Sequence, residues 1–166
     1  MAYATSGIVG VDLSRTFDGT TTDGAGAPFT LGTRITATDG SHWVFVQAGA
    51  AITLYDCVGI DENFQATAIT KTNADAGYQV GFAQVAFDDN DFGWVAVHAP
   101  GNITVRCAGS CAADVQLYTT STAGVLDDTS ASQTLIRGVV LVSTNGTTAA
   151  STKECIAVYP SATATP

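Results

Sequence analysis

Two histidines, His42 and His98, and a scatter of carboxylates are the residues of this chain equipped for acid–base chemistry. Nucleophilic catalysis of the Ser-His-Asp kind needs an imidazole held by a carboxylate beside a hydroxyl or thiol. Both histidines fall mid-strand, His42 just after an Asp39-Gly40 turn and His98 in line with Phe92, Trp94 and Ala96, and neither lies in a G-x-S-x-G elbow. A packed or solvent-facing imidazole is the better account of each. Asp56, Asp61, Glu62, Asp88, Asp89 and Asp91 could be nominated as a glycosidase pair, but such a pair is qualified by its separation in space, which spacing within turns does not give. The run Asp88-Asp-Asn-Asp91 offers oxygen ligands to Ca²⁺ yet lacks the Gly and distal Glu of an EF-hand loop, and reads as a solvated turn between strands. The sequence therefore assigns no catalytic residue, no metal ligand and no cofactor, and an enzyme is the class it supports least.

The thiols are the next candidates. Cys57, Cys107, Cys111 and Cys155 permit three pairing schemes. Cys107 and Cys111 are spaced to close a disulfide across a tight turn if their Cα atoms fall within about 4.4 to 6.8 Å, and four buried free thiols are the alternative. A zinc site would call for a second ligand pair near this C-x3-C, and no histidine pair follows it. Trp43, Trp94, Tyr55 and Tyr118 would make a sugar or peptide platform if exposed, although aromatics at strand spacing are more often core.

These residues are carried by a pattern of period two. It predicts strands over 31 to 37, 42 to 48, 52 to 59, 64 to 70, 78 to 87, 92 to 98, 102 to 107, 114 to 120, 134 to 143 and 154 to 159. Asp39-Gly40, Asp88 to Asp91, Pro100-Gly101-Asn102, Leu126-Asp-Asp-Thr and Thr144-Asn-Gly-Thr147 mark turns. No window of a dozen residues keeps a helical repeat, so helix should be minor. The predicted fold class is all-β, an antiparallel β-sandwich or barrel over residues 29 to 160. A Gly-, Thr- and Asp-rich extended N-terminal arm (1 to 28) precedes it and a loose tail (161 to 166) follows.

Composition narrows the partners. Charged residues make up 13% of the chain against roughly 25% in ordinary soluble domains. The net charge is -9, and two lysines with four scattered arginines give no basic stripe, so neither nucleic acid nor an anionic membrane is an expected partner. The opening Met1-Ala-Tyr-Ala-Thr-Ser-Gly lacks a basic n-region followed by an apolar h-region, which predicts synthesis in a cytoplasm without export.

Several strands are apolar on both faces. Trp43 and Phe45 oppose Val44 and Val46, Trp94 and Ala96 oppose Val95 and Val97, and Ile136, Val140 and Val142 oppose Leu135, Val139 and Leu141. In 78 to 87 the apolar register changes phase, as a bulge or a doubly covered strand would require. A small sheet protein has few places to hide two faces, so some of them are expected to pack against sister subunits or a larger assembly.

The strings Leu31-Gly-Thr-Arg-Ile-Thr-Ala-Thr-Asp-Gly-Ser-His-Trp-Val-Phe-Val-Gln-Ala-Gly-Ala-Ala51, Val80-Gly-Phe-Ala-Gln-Val85, Phe92-Gly-Trp-Val95, Val115-Gln-Leu-Tyr-Thr119, Gly124-Val-Leu-Asp-Asp128 and Ile136-Arg-Gly-Val-Val-Leu141, in that order, resemble the head decoration or cement proteins of tailed bacteriophages. That resemblance implies a non-enzymatic, β-rich virion protein on the capsid exterior. It would bind the major capsid protein as a homo-oligomer, commonly a homotrimer, and reinforce the head against internal DNA pressure. On this reading Trp43, Trp94 and Val140 make intersubunit contacts, while Tyr3, Val9, Val11, Leu13 and Phe17 of the arm grip the shell, adding a strand to it. A carbohydrate-binding or adhesin module on a virion or cell surface is the alternative.

Overall fold

The computed structural model describes residues 10–19 and 27–163. Branched and aromatic residues at alternate positions give ten strands: β1 (Arg34–Thr36), β2 (His42–Ala48), β3 (Cys57–Ile60), β4 (Gln65–Ala68), β5 (Gln79–Ala83), β6 (Phe92–Cys107), β7 (Leu117–Thr119), β8 (Leu126–Asp127), β9 (Leu135–Leu141) and β10 (Ser151–Ala162). One helical turn, α1 (Lys71–Asp75), starts at a capping box in which Thr70 and Asn73 each satisfy the other's backbone N–H. With 45% strand and 3% helix the protein is all-β. Its single sheet is mixed, because β2 pairs with β4 and β6 with β8 in parallel.

Pairing closes on itself twice. One circuit runs β2, β4, β3, β5, β6 and back to β2; the other runs β6, β10, β9, β7, β8 and back to β6. The sixteen-residue β6 belongs to both. A turn at Pro100-Gly101-Asn102, which the sequence suggested would split this strand in two, is instead an irregularity within it, where the register against β10 slips between Cys155 and Ile156. The slip bends the strand from one circuit into the next. The Asp39-Gly40 hairpin forms as the sequence indicates, with Gly40 at a φ of 83° and Ala37 N–H donating to Ser41 carbonyl at 2.8 Å.

Double-faced strands here are covered by the chain itself. Val44, Val46, Val58, Ile60, Ala66, Ala83, Val95 and Val97 turn into the first circuit, where Ile52 and Phe87 join them. Trp43, Phe45, Val80, Phe82, Trp94 and Ala96 turn outward from it into a second, larger cluster that continues through Ile103, Val105, Leu117, Leu126, Ile136, Leu141 and Ala157. The phase change along 78 to 87 is thereby explained: Val80 and Phe82 serve one core, Ala83 and Phe87 the other. This corrects the assignment of Trp43 and Trp94 to intersubunit contacts, since they are 6% and 0% exposed in the single chain. Each such side chain contributes about 1.5–3 kcal/mol by leaving water.

The described part of the arm also packs inward. Val11, Leu13 and Phe17 lie against the larger cluster, Phe17 pairs with Phe92 through two 2.8 Å backbone hydrogen bonds, and its ring meets Phe45 edge-on at 6.2 Å. All three are half-buried, so each packs one side on the core and keeps part of its surface open to solvent. Tyr3 and Val9 lie outside the described residues. The C-terminal stretch departs from a loose tail in that β10 continues through Ser161 and Ala162, which pair with Arg137 and Ile136. Phe17→Ala should cost about 1–3 kcal/mol, less than a fully buried phenylalanine because the ring is half-exposed, and chemical denaturation of the isolated chain measures it.

Candidate functional site

Three places gather chemistry. The first joins the two histidines, which are register partners across β2 and β6. Their rings lie 4.8 Å apart, and Tyr159 of β10 stacks on His98 at 5.2 Å while its hydroxyl hydrogen-bonds His42 Nδ1. Tyr159 reaches them because it sits in the β10 bulge at a φ of 44°. His98 Nδ1 is buried without a hydrogen-bond partner among the described residues. The rings touch each other and a phenol, an arrangement that packs imidazoles and does not assemble a Ser-His-Asp relay. Nothing in the local sequence announces the trio, since its members are 56 and 61 residues apart by number (42 to 98, 98 to 159).

The second place lies at the far end of the second circuit. Cys107 ends β6 and Cys111 follows on a loop; both are free, buried thiols and neighbours of each other, Cys107 Sγ donating to the Ser151 carbonyl at 3.6 Å and Cys111 Sγ to the Ala112 carbonyl at 3.9 Å. The spacing that would allow a disulfide thus holds two reduced thiols in contact. That contact, ahead of burial, lowers the Cys107 thiol and pushes Cys111 up, so Cys107 is the first of the pair to ionise. Burial raises Cys57 and pushes Cys155 up to about 12, which leaves both inert. Beside Cys111 stand Asp127 of β8 and Asp128, and one donor atom from each of the three lies within 4.8 Å of the others. Burial, then the neighbouring Asp128 carboxyl, raises Asp127 above the ordinary carboxylate range. Asp88 to Asp91, by contrast, form the expected turn, closed by Asp91 N–H donating to Asp88 carbonyl at 3.2 Å.

The third is a surface. On β9, Gly138 takes a φ of 77° opposite the β10 bulge, where a Cβ would come within 2.8 Å of the Val158 carbonyl oxygen. This kink resets the alternation, so Ile136, Val139 and Leu141 face inward while Val140 and Val142 face out. They adjoin Ile156 and Val158 of β10, which are 40% and 56% exposed. Val140, Ile156 and Val158, together with Leu135 and Arg137, line a groove of about 460 Å³. Among the described contact residues nominated from sequence, Val140 lines this groove and is half-buried. The tryptophan platform does not form, and Tyr55 and Tyr118 are each half-buried.

A buried ion pair braces the circuits. Arg106 Nη1 donates to Asp56 Oδ1 at 2.6 Å, and Asp56 Oδ2 accepts from Thr53 N–H at 3.0 Å. Arg106→Met strands the buried Asp56 carboxylate and should cost about 2–3 kcal/mol by denaturant titration, discounted for the partial exposure of the arginine. Asp127 has the opposite sign. Its raised pKa favours the neutral form in the fold, so that stability is complete below about pH 4 and is lost as pH rises through the folded value. Asp127→Asn should therefore raise Tm at pH 7 in chelator-treated protein, with the gap closing towards pH 3. Compared with protein-family models, curated protein sequences and solved structures, the chain has no match in any of the three.

Proposed function

We propose that this chain is a non-enzymatic decoration protein that binds the outer surface of a phage head, as an oligomer of itself, and stabilises the shell. The observation that carries the reading is the open apolar face of β9 and β10. Val142, Ile156 and Val158 are 45%, 40% and 56% exposed; Ile156 pairs with Val140 of β9 and shares a groove with Val158, and Val142 follows directly on β9. Single exposed hydrophobics are ordinary, whereas a contiguous patch over a rigid sheet is the mark of a surface that meets protein. The strands behind it are pinned by Ile136, Val139, Leu141 and Ala157 in the core, so the face is preformed and loses little entropy on contact.

Further support comes from what the surface lacks. A net charge of -9 with six cationic residues keeps the protein away from packaged DNA. The resemblance of the 31-to-51 hairpin and of the later strand motifs to cement proteins supplies the partner, the major capsid protein, and the trimer as the expected oligomer. Many copies, each with a modest contact area across capsomer boundaries, would reinforce a head through multivalency without any active site. The location that follows is the virion exterior.

Val158→Asp should leave the isolated fold within about 0.5 kcal/mol of the parent, since the side chain is exposed. It should reduce the light-scattering mass to that of one 16.9 kDa chain and empty the protein from purified heads in electron micrographs. A parent protein that is monomeric and does not occupy heads would refute the reading.

A further inference from the structure

We propose that Cys111, Asp127 and Asp128 form a binding site for one divalent cation of the zinc type, independent of the decoration role. Three donor atoms, the Cys111 sulfur and one oxygen from each carboxylate, lie within 4.8 Å of one another. Donors around a tetrahedral zinc, at about 2.0–2.3 Å from the metal, stand roughly 3.4–3.8 Å apart. A contraction of about 1 Å, within reach of side-chain rotation, brings the set onto an ion. Mixed sulfur and oxygen donors suit a borderline-soft cation such as Zn²⁺ better than Ca²⁺ or Mg²⁺.

The electrostatics point the same way. Asp127 and Asp128 are adjacent, both half-buried, and neither is in an ion pair with a described lysine or arginine. Two neighbouring carboxylates with no cation between them repel, and a dication beside the thiols offsets that repulsion.

The frame around the cluster is held in place before any ion arrives. Ala112 N–H donates to Asp128 Oδ2 at 3.0 Å, and Asp128 N–H to Asp127 Oδ1 at 2.9 Å, which fixes where the carboxylates point. Ala108 N–H donates to Leu126 carbonyl at 2.8 Å, tying the end of β6 to β8. Asn145 is fully buried; its N–H holds Cys111 carbonyl at 2.8 Å and its amide holds Ala108 and Ala149 carbonyls at 2.8 and 3.0 Å. The half-exposed carboxylates leave a path from solvent to the buried sulfurs. An ion here would clip the loop after β6 to β8 and close the end of the second circuit.

The test uses the full chain, reduced and stripped with a chelator, titrated with Co²⁺ and then with Zn²⁺ as competitor. One equivalent of Co²⁺ per chain should bind with a thiolate-to-metal charge-transfer band, zinc should displace it, and Tm should rise with zinc concentration. Cys111→Ser should abolish the band. Asp127→Asn, which does not depend on the thiols for folding, should weaken zinc at least about tenfold. His42→Ala should change neither stoichiometry nor spectrum. Absence of the band in the parent, unchanged zinc affinity in Asp127→Asn, or loss of binding in His42→Ala would overturn the site, the last by assigning the metal to the histidine pair. Head occupancy is not read in this experiment, so its outcome is separate from that of the decoration reading.

Discussion

A strand that is apolar on both faces must be covered on both faces, and β6 imposes that constraint on the whole molecule. Trp94 and Ala96 on one side and Val95 and Val97 on the other are fully buried. One way for a single chain to satisfy this is to close strands around one face and stack further elements on the other. The first circuit does the former; β10, β9 and the Val11-to-Phe17 segment do the latter. The aromatic contacts of Phe45 with Phe17, Phe29, Phe92 and Trp94 lie where the two layers meet.

From that constraint the irregularities acquire a purpose. β6 is too long to stay in one circuit, and its slip against β10 near Pro100 lets its second half, Ile103 to Cys107, line a second interior. The β10 bulge opposite Gly138 does the corresponding work for β9: it turns Val140 and Val142 outward and carries Tyr159 to the histidines. Bulges thus decide which residues are surface and which are core, and with them where the protein can meet another molecule. The same closure brings β8 beside the end of β6 and so sets two carboxylates against the Cys111 thiol.

A surplus of apolar sheet surface, read along the chain, points to assembly. Most of it is consumed internally, at Trp43, Trp94 and their opposite faces, because closed pairing shelters more area than an open sandwich of the same length. Of what remains exposed, the larger part lies on β10 and just past the end of β9, with Leu54 and Val115 apart from it. The interaction reading therefore rests on a smaller and better-defined surface than the alternation of hydrophobic residues suggests, with Val140 in its lining.

Period-two alternation by itself determined the all-β class, the span His42 to Ala48 to the residue, the Asp39-Gly40 hairpin and the scarcity of helix, since each follows from local sterics and side-chain alternation. The two-residue β8 and the single-turn α1 were not legible, being too short to show a period. Closure of the sheet, the parallel pairings, the inward docking of Phe17, the histidine–tyrosine trio and the thiol–carboxylate cluster were decided only by tertiary structure. Each joins residues far apart along the chain, such as Cys111 with Asp127 or His42 with Tyr159, and such contacts depend on how strands close around a core, which no local pattern encodes.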